Sequence, residues 1–523
     1  MKLKQEGSIV TGWRVFWVPR ARTVDPQRVP VLAGLENLAD REDRSGIHAG
    51  DPILLSPDFQ IDELLSLFLC RSSFARLAAE TKRNYSDDYV IFFDFLWARG
   101  KVWDEATADD LWDFEDWRTR SPRNPQKVGA ARWNRSLAAL TRLYKWAVAT
   151  ENMASNPILM HAVAGYQGEV VQTPKARAKE AKSSDVHWLT PRMFRLWVDV
   201  GLRGYTAEGL PSPGWRGRLE ARNVAFADLL FSSGMRLTEG ASLLTIEVPR
   251  LRLGGARYYT GRLAKRVTKS RRARTYYVAS PVVGEVESYM ESLRARVIRR
   301  AQAMGRYEAL EEMRLVTKVT GRRKKILHWV DRDGVVGQTP LTDAPVEERM
   351  TYFTEGPAGP EPLWLWLNEQ GLPFQPESWE NVFRTASDRC EDVLGPVMAE
   401  PPFCTPHMCR HSFALYMLVV LHHVMDVRMG LTPEERRDFR LLYGDPWRMV
   451  QDLLGHRDIE LTRKIYLAPV SDLQIRALMA DPAPREAEAG GLSVSDARVT
   501  SLLARIAEES DGIQDIDTLL ETA

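Results

Sequence analysis

The chain has 523 residues, of which 44% are hydrophobic and 27% are charged, and its formal net charge is +1. This length predicts two or three domains, and the composition is ordinary for a soluble globular protein. No apolar run is long enough for a membrane span, and the N-terminus lacks the apolar stretch of a secretory signal. The four cysteines have no metal-ligand spacing, so we expect a cytoplasmic protein with reduced cysteines and no metal site.

The distribution of charge is more informative than its sum. The stretch from Gly261 to Thr275 holds seven Lys or Arg and no acid, a second basic run covers Arg322 to Lys325, and the end of the chain is acidic. This distribution favours a localised site for a polyanion over a generally basic surface. A solvated charged face remains the alternative for each run taken alone.

The first third of the chain predicts a small helical domain. Residues 1–60 contain turn formers and two strand-like pieces but no usable motif, so they form an N-terminal segment of unknown role. Residues 61–165 are predicted to be an all-helical domain, and the polar, basic stretch 166–188 is predicted to be a linker. Apolar residues at helical spacing indicate three helices in this domain, at about 81–97, Ala108–Arg118 and Ala130–Thr150.

Residues 189–480 predict a mixed domain in which helices dominate. Thr190 followed by Pro191 is typical of a helix start, with the threonine as the cap. Two short strands are predicted at Arg257–Thr260 and Thr275–Ala279, joined by the basic stretch. The fold class is therefore expected to be mainly α with a small β-sheet, that is α+β.

Two further segments are predicted around this domain. The region about 300–376 has scattered Gly and Pro and is interpreted as a long insertion of unassigned role. The C-terminal tail, 481–523, is predicted to hold one amphipathic helix at Val499–Glu509, which packs either on a neighbouring protomer or on its own domain.

Five short motifs in one order carry the chemistry. Together they supply two guanidiniums, two imidazoles, an ammonium and a phenol, a set that suits attack on a phosphodiester without a metal. The motif residues are Arg236 in SSGMRLTEG, Lys269 in VTKSRRARTYYV, His407 and Arg410 in TPHMCRHSFALYM, His456 in DLLGH, and Tyr466 in KIYLAP.

Each motif also has an ordinary structural explanation. Arg236 and Glu239, three residues apart on a helix, form a surface ion pair in most proteins that contain such a pair. About one H-x-x-R pattern is expected by chance in a chain this rich in arginine. Lys265 lies only four residues from Lys269, so the choice between the two lysines is open. A single tyrosine such as Tyr466 is more often a core or interface residue, and only the ordered set supports its role.

The ordered set resembles the tyrosine recombinases, also called phage-integrase-like recombinases, over about 80–165 and 189–470. The pattern R…K…H-x-x-R…H/W…Y of this family is matched at all six positions. The resemblance implies a helical core-binding (SAM-like) domain and a catalytic domain that together form a C-shaped clamp around DNA. It also implies a 3′-phosphotyrosine intermediate, formed without metal, ATP or any other cofactor.

The resemblance implies a role for each motif residue. Tyr466 is the nucleophile, Arg236 and Arg410 clamp the phosphate, and Lys269 is the general acid. His407 and His456 bind the phosphate and assist proton transfer, and Glu239 supports the first arginine. Further basic residues are candidates for DNA binding: Lys265, Arg266, Arg271, Arg272, Arg274, Lys82, Arg83, Arg132 and Arg135.

The implied partner is double-stranded DNA, bound by a homo-tetramer, with possible accessory proteins and no membrane. The implied process is integration or excision of a mobile element in a bacterial or phage setting, near the nucleoid. Two features depart from the pattern: the spacing of ten residues from His456 to Tyr466, and the long insertion. A type IB topoisomerase-like enzyme and a catalytically silent DNA-binding protein of the same fold remain the alternatives.

Overall fold

The computed structural model of the chain describes residues 12–19, 44–164, 170–178, 187–252, 256–322, 324–423 and 446–455. The chain divides into two compact units, residues 1–183 and 184–523. His456, Tyr466 and the predicted tail helix lie outside the described residues. None of the described helices combines the length and apolar character that a membrane span requires.

The first unit contains helices and two antiparallel strand pairs. Its helices confirm the three that were predicted for this region, within two residues at each end. They are α1 (Glu63–Arg71), α2 (Ala79–Trp97), α3 (Ala108–Thr119) and α4 (Ala130–Ala149). The strands are β1 (Arg14–Trp17) paired with β2 (Pro52–Leu55), and β3 (Met160–Ala164) paired with β4 (Val170–Pro174).

Aromatic side chains build the core of the first unit. Phe92 on α2 is fully buried and meets Phe114 of α3 edge-on, with ring centroids 4.8 Å apart. Trp103 is also buried, and its indole nitrogen donates to Asp62 at 2.8 Å. The other carboxylate oxygen of Asp62 caps α1 by accepting from the backbone of Leu65 at 2.9 Å. Truncating a buried Phe or Trp here would cost about 3–5 kcal/mol.

The expectation that residues 61–165 are all-helical and that 166–188 is a linker was wrong in two places, because β3 lies in the first range and β4 in the second. Residues before 61 also pack on the helices of this unit. Trp13, just before β1, packs its ring on Phe93 of α2 with centroids 5.1 Å apart. Strand β4 lies inside the expected linker, and beyond it the carbonyl of Ala176 accepts from the indole of Trp133 on α4 at 2.8 Å. These are tertiary contacts, which local periodicity does not reveal.

The second unit begins with the predicted helix start, since the hydroxyl of Thr190 accepts from the backbone of Met193 at 3.2 Å. Its two predicted strands are confirmed as β5 (Tyr258–Leu263) and β6 (Arg274–Ala279), which pair antiparallel. The α-helices are α5 (Pro191–Trp197), α6 (Glu220–Ser233), α7 (Leu237–Ala241), α8 (Ser280–Tyr289), α9 (Ala295–Ala303), α10 (Val346–Arg349), α11 (Ser378–Leu394), α12 (Pro406–His423) and α13 (Pro446–Leu454). The mainly helical fold class with small sheets is thereby confirmed.

Helix α6 is central to the second unit, with α8, α12 and β6 packed around it. Phe226 on α6 is fully buried and stacks on Trp379 of α11 with centroids 3.6 Å apart. The helix ends at Gly234, whose φ is +61°. A Cβ at this position would lie 2.2 Å from the ring of Phe413 on α12, so only glycine allows both the backbone conformation and this contact.

The expected insertion folds into a five-stranded sheet. Its strands are β7 (Arg314–Thr320), β8 (Ile326–Asp331), β9 (Val336–Pro340), β10 (Tyr352–Gly356) and β11 (Gly359–Pro362), in the order β11-β10-β7-β8-β9. A short 3₁₀ turn, Leu341–Asp343, follows β9. The fully buried Arg349 joins the sheet region to the rest of the unit, because it pairs with Glu247 and donates to the carbonyl of Ser242 at 2.9 Å.

Candidate active site

Glu239 is the centre of a hydrogen-bonded arginine cluster. It lies on the short helix α7, and Arg236 is the residue that caps this helix. One oxygen of Glu239 accepts from the backbone of Arg236 at 2.9 Å, and the other accepts from its Nη1 at 3.1 Å. Glu239 is almost completely buried, while about a quarter of the Arg236 side chain is exposed. Among the described residues, no acceptor meets Nε or Nη2 of Arg236, so these donors face the open side of the cluster.

Arg274 is a second partner of Glu239. Its Nη2 donates to the carboxylate at 2.6 Å, and its Nη1 donates to the carbonyl of Leu453 at 2.7 Å. Leu453 belongs to the last turn of α13, where backbone carbonyls lack partners within the helix. Arg274 therefore connects the start of β6, the buried carboxylate and the end of α13.

Arg410 makes a parallel connection from α12. It is 1% exposed, and its two terminal nitrogens donate to the carbonyls of Gly234 at 2.5 Å and Leu454 at 2.6 Å. Two arginines thus bind consecutive carbonyls at the end of α13, where the helix dipole also stabilises a cation. The sequence Leu453-Leu454-Gly455 predicts a helix that ends at its glycine, and the φ of +66° at Gly455 confirms this.

The electrostatics of Glu239 follow from this arrangement. Burial alone would raise the pKa of its carboxyl group, but the charge of Arg274 lowers that pKa most strongly, followed by Arg410. The backbone hydrogen bond and the charge of Arg236 lower it further, so the net pKa lies below the usual value. Glu239 is therefore an ionised, buried anchor for the arginine cluster.

His407 lies in the first turn of α12 and is exposed. Its pKa is lowered, first because surrounding protein removes part of its hydration and then because three cations lie nearby. In decreasing order of effect the cations are Arg410, Arg236 and Lys269. Three side chains from separate elements thus place their charge around one imidazole, as the motif order predicts.

Lys269 lies in an ordered turn between β5 and β6. The buried hydroxyl of Thr268 lies 3.0 Å from the carbonyl of Lys265 and 2.9 Å from that of Arg272, which ties the turn together. Lys265 forms an ion pair with Asp343 of the 3₁₀ turn, whereas Lys269 is exposed and has no hydrogen-bond acceptor among the described residues. The ammonium group of Lys269 is therefore the one of the two that the protein leaves available.

His411 lies one turn after His407, and the two rings meet edge-on at 4.4 Å. It is buried, and burial, His407 and Arg410 lower its pKa to about 3. A folded-state pKa below the unfolded value of 6.5 means that the stability linked to this group is complete above pH 6.5 and decreases as the pH falls toward 3.

We expect a His411→Gln variant to lose this acid sensitivity. Between about pH 6.5 and 5, its free energy of unfolding should decrease less steeply than that of the wild type, by at most about 1.4 kcal/mol per pH unit. Urea unfolding across this range measures the slope, and equal slopes for the two proteins would show that His411 is already charged in the folded state.

Most of the candidate DNA-binding residues lie at the surface. In the second unit Arg266, Arg271 and Arg272 are exposed, and in the first unit Arg83 and Arg132 are exposed. Burial and the charge of Asp88 raise the pKa of Asp87, and the charges of Arg135, Arg83 and Arg132 oppose this rise, so these three cations of α2 and α4 lie near one carboxyl group. Arg135 is partly engaged, because it binds the buried Asp88 through two hydrogen bonds of 2.9 and 3.1 Å.

Two candidates are placed differently from the expectation. The ammonium of Lys82 forms an ion pair of 2.7 Å with the buried Asp51, and the guanidinium of Arg274 is held by Glu239 and α13. Both charges are used inside the protein, so the structure does not place them at a DNA-facing surface. The supporting position of Arg274 was missed because a basic run does not distinguish an inward from an outward side chain. Strand alternation was the available signal, since Arg274, Tyr276 and Val278 share one face of β6.

Comparison with known proteins gives one family match. Residues 72–151 match the family model of the phage integrase N-terminal SAM-like domain. No relative among curated proteins matches the chain. Residues 72–151 are therefore similar to the N-terminal SAM-like domain of phage integrases, which agrees with the SAM-like domain predicted for this part of the sequence.

Three solved structures, two recombinases and one transposon integrase, are among those that this chain matches. XerH site-specific recombinase bound to a palindromic difH substrate, in a post-cleavage complex, is 11% identical with a TM-score of 0.41, covering 82% of this chain and 87% of that one. XerA recombinase is 14% identical with a TM-score of 0.28, covering 80% and 98%. The Tn1549 transposon integrase in complex with a circular intermediate DNA is 12% identical with a TM-score of 0.38, covering 77% and 93%. These values are too low to carry any argument about activity.

Proposed function

Because residues 72–151 are similar to the N-terminal SAM-like domain of phage integrases, we propose that the chain is a site-specific DNA recombinase that cuts and rejoins strands through a 3′-phosphotyrosine. The observation that supports this most strongly is the surrounding of His407 by Arg410, Arg236 and Lys269, which lower its pKa together. Such a cluster of cations and donors suits a phosphate that gains negative charge as it is attacked.

In the proposed reaction Tyr466 gives its phenol proton to a histidine of the site, its oxygen attacks the scissile phosphorus, and the bond from phosphorus to the 5′ oxygen breaks. Lys269 gives a proton to this leaving oxygen, so a free 5′-hydroxyl is released while the 3′ end stays bound to the tyrosine. A 5′-hydroxyl from the partner strand then attacks the phosphotyrosine and regenerates the phenol. One phosphoester bond is exchanged for another at each step, so neither ATP nor a metal is required.

The two arginines have different positions in this proposal. Arg236 is the one whose free donors bind the non-bridging oxygens, because Glu239 holds only one edge of its guanidinium. Arg410 contributes its positive charge from a buried position, since its terminal nitrogens are bound to the carbonyls of Gly234 and Leu454. His407, whose pKa both arginines lower, is proposed as a donor to the phosphate, with His456 as the expected second histidine.

A covalent-trapping experiment tests the proposal. The protein is incubated, with EDTA present, with DNA from the ends of the genetic element that encodes the chain, and is then separated on a denaturing gel. We expect an adduct that survives denaturation and whose peptide mass maps to Tyr466. Tight DNA binding without any adduct would contradict the proposal and favour a silent binding protein. Relaxation of supercoiled plasmid by isolated monomers would favour the topoisomerase alternative.

The choice of general acid leads to a separate prediction. We expect Lys269→Ala to slow cleavage strongly, because the leaving oxygen then departs without a proton. A DNA substrate with a 5′-bridging phosphorothioate needs no such proton, and it should restore the cleavage rate of this variant. Lys265→Ala is the matched control, since Lys265 is paired with Asp343. Rescue of Lys265→Ala instead of Lys269→Ala would show that the other lysine is the acid.

A further inference from the structure

The turn between β7 and β8 of the inserted sheet is strongly basic. It contains four consecutive Lys or Arg, from Arg322 to Lys325, and no acid. Arg322 and Lys324 are exposed. The turn starts at Gly321, whose φ is +82° and where a Cβ would lie 2.0 Å from the carbonyl of Lys324, so this bend requires glycine. We call the described residues of this turn, Gly321, Arg322, Lys324 and Lys325, the sheet tip.

The sheet tip is fixed to the body of the second unit. The ammonium of Lys325 donates to the carbonyl of Ile246 at 2.5 Å, and the carbonyl of Lys325 accepts from the backbone of Leu341 at 2.9 Å. Immediately after the tip, Ile326 on β8 lies opposite Pro340 on β9. The tip is therefore placed directly beside the 3₁₀ turn Leu341–Asp343.

The same 3₁₀ turn holds the turn that carries Lys269. The hydroxyl of Thr342 accepts from the backbone of Lys265 at 3.2 Å, and its carbonyl accepts from the backbone of Arg266 at 3.3 Å. Asp343 pairs with the ammonium of Lys265. One three-residue segment thus connects two basic runs that are far apart in the sequence, and the inserted sheet brings them side by side.

Two of the acidic groups near this junction are already paired. Asp343 is used by Lys265, and the buried Glu247 is used by Arg349. The exposed charges of Arg322 and Lys324 therefore add to those of the Lys269 turn and form one continuous positive surface. A surface of this kind attracts a polyanion, and its strength depends on ionic strength.

We propose that Arg322 and Lys324 bind backbone phosphates of the double-stranded DNA that flanks the scissile phosphate. The location of this contact rests on the proposed function, in which Lys269 faces the leaving oxygen at the cleavage site. DNA that lies against the Lys269 turn continues over the adjoining sheet tip, which enlarges the footprint on the duplex. The contact is to phosphates, so it strengthens binding without reading sequence.

The test compares two double variants that remove the same charge. The first, Arg322→Ala with Lys324→Ala, removes the two exposed charges of the sheet tip. The second, Arg299→Ala with Arg300→Ala, removes two exposed arginines of α9, which packs by β11, the edge strand on the other side of the sheet from β9. DNA binding is measured by fluorescence anisotropy over a series of salt concentrations. The duplex carries the cleavage site mapped by trapping, or a random sequence if no adduct forms.

We expect the tip variant to bind roughly tenfold more weakly, and its slope of log affinity against log salt to be smaller in magnitude by about 2. The α9 variant should keep the wild-type slope. On a duplex shortened to remove the flanking DNA, the tip variant and the wild type should bind equally.

Unchanged affinity and slope in the tip variant would overturn the inference. The same holds if DNA binding is retained but assembly of several protomers on DNA is lost, because the tip would then bind a neighbouring protein. Failure of this phosphate contact can be distinguished from failure of the proposed recombinase chemistry. A reduced slope without any covalent adduct would leave the phosphate contact and reject the recombinase chemistry, whereas an adduct with an unchanged slope would reject the contact alone.

Discussion

A Tyr466→Phe variant is expected to bind DNA as tightly as the wild type and to form no covalent adduct. The substitution removes a single oxygen atom, and that oxygen is the proposed nucleophile. Because phenylalanine keeps the ring, the variant should fold and should lose neither the arginine cluster nor the basic turn. Adduct formation on a denaturing gel and binding by anisotropy, measured on the same DNA, separate the chemical step from recognition.

Tyr443→Phe is the matched control, since Tyr443 is another tyrosine in the C-terminal part of the second unit. It should give the wild-type amount of adduct. If Tyr443→Phe abolishes the adduct and Tyr466→Phe retains it, then the nucleophile has been assigned to the wrong tyrosine, while the reaction class stands.

The second large effect is expected from Arg236→Ala. We predict a decrease in the single-turnover cleavage rate of about 10²–10³, because the negative charge that develops on the phosphate loses its exposed guanidinium. Arg236→Lys should recover only part of this rate, since an ammonium cannot make the planar two-point contact. Rates are measured at saturating protein, so that weaker binding does not contribute.

The fold should tolerate this substitution better than a loss of Glu239. After Arg236→Ala the buried carboxylate is still paired with Arg274, which is bound at 2.6 Å. Urea unfolding should therefore show a much smaller loss of stability than Glu239→Ala, which leaves the buried charge of Arg274 without its partner. Arg299→Ala serves as a control for the removal of one exposed arginine. A cleavage rate for Arg236→Ala within a few-fold of the wild type would remove Arg236 from the proposed site.

Local sequence patterns were sufficient for three helices of the first unit and for a few helix ends in the second. The apolar stripes of α2 and α4, the Thr190-Pro191 start and the glycine after α13 all depend on residues within one or two turns of each other, and the structure confirms them. The predicted strands β5 and β6 of the second unit are confirmed for the same reason, because each was predicted from residues within one short segment. Such signals are local, so they survive without knowledge of the rest of the chain.

The expected linker and insertion were described least well. Strand β4 pairs with β3, and the inserted strands pair in an order that differs from their order in the sequence. Some of their apolar residues are exposed, for example Val336, so the alternation that would reveal a strand is weak. In the insertion β10 pairs with β7, although β8 and β9 separate them in the sequence, and a single segment carries no record of such a partner.

The sequence by itself determined which chemical groups are present and in what order: two arginines, two histidines, a lysine and a tyrosine. It also indicated that Glu239 supports Arg236, because residues three apart on a helix are neighbours. Only the tertiary structure decided that Arg274 points inward to the same carboxylate, that Lys265 is paired while Lys269 is available, and that the sheet tip adjoins the Lys269 turn. Each of these depends on the direction of a side chain or on contacts between distant segments, and neither is encoded in the local spacing of residues.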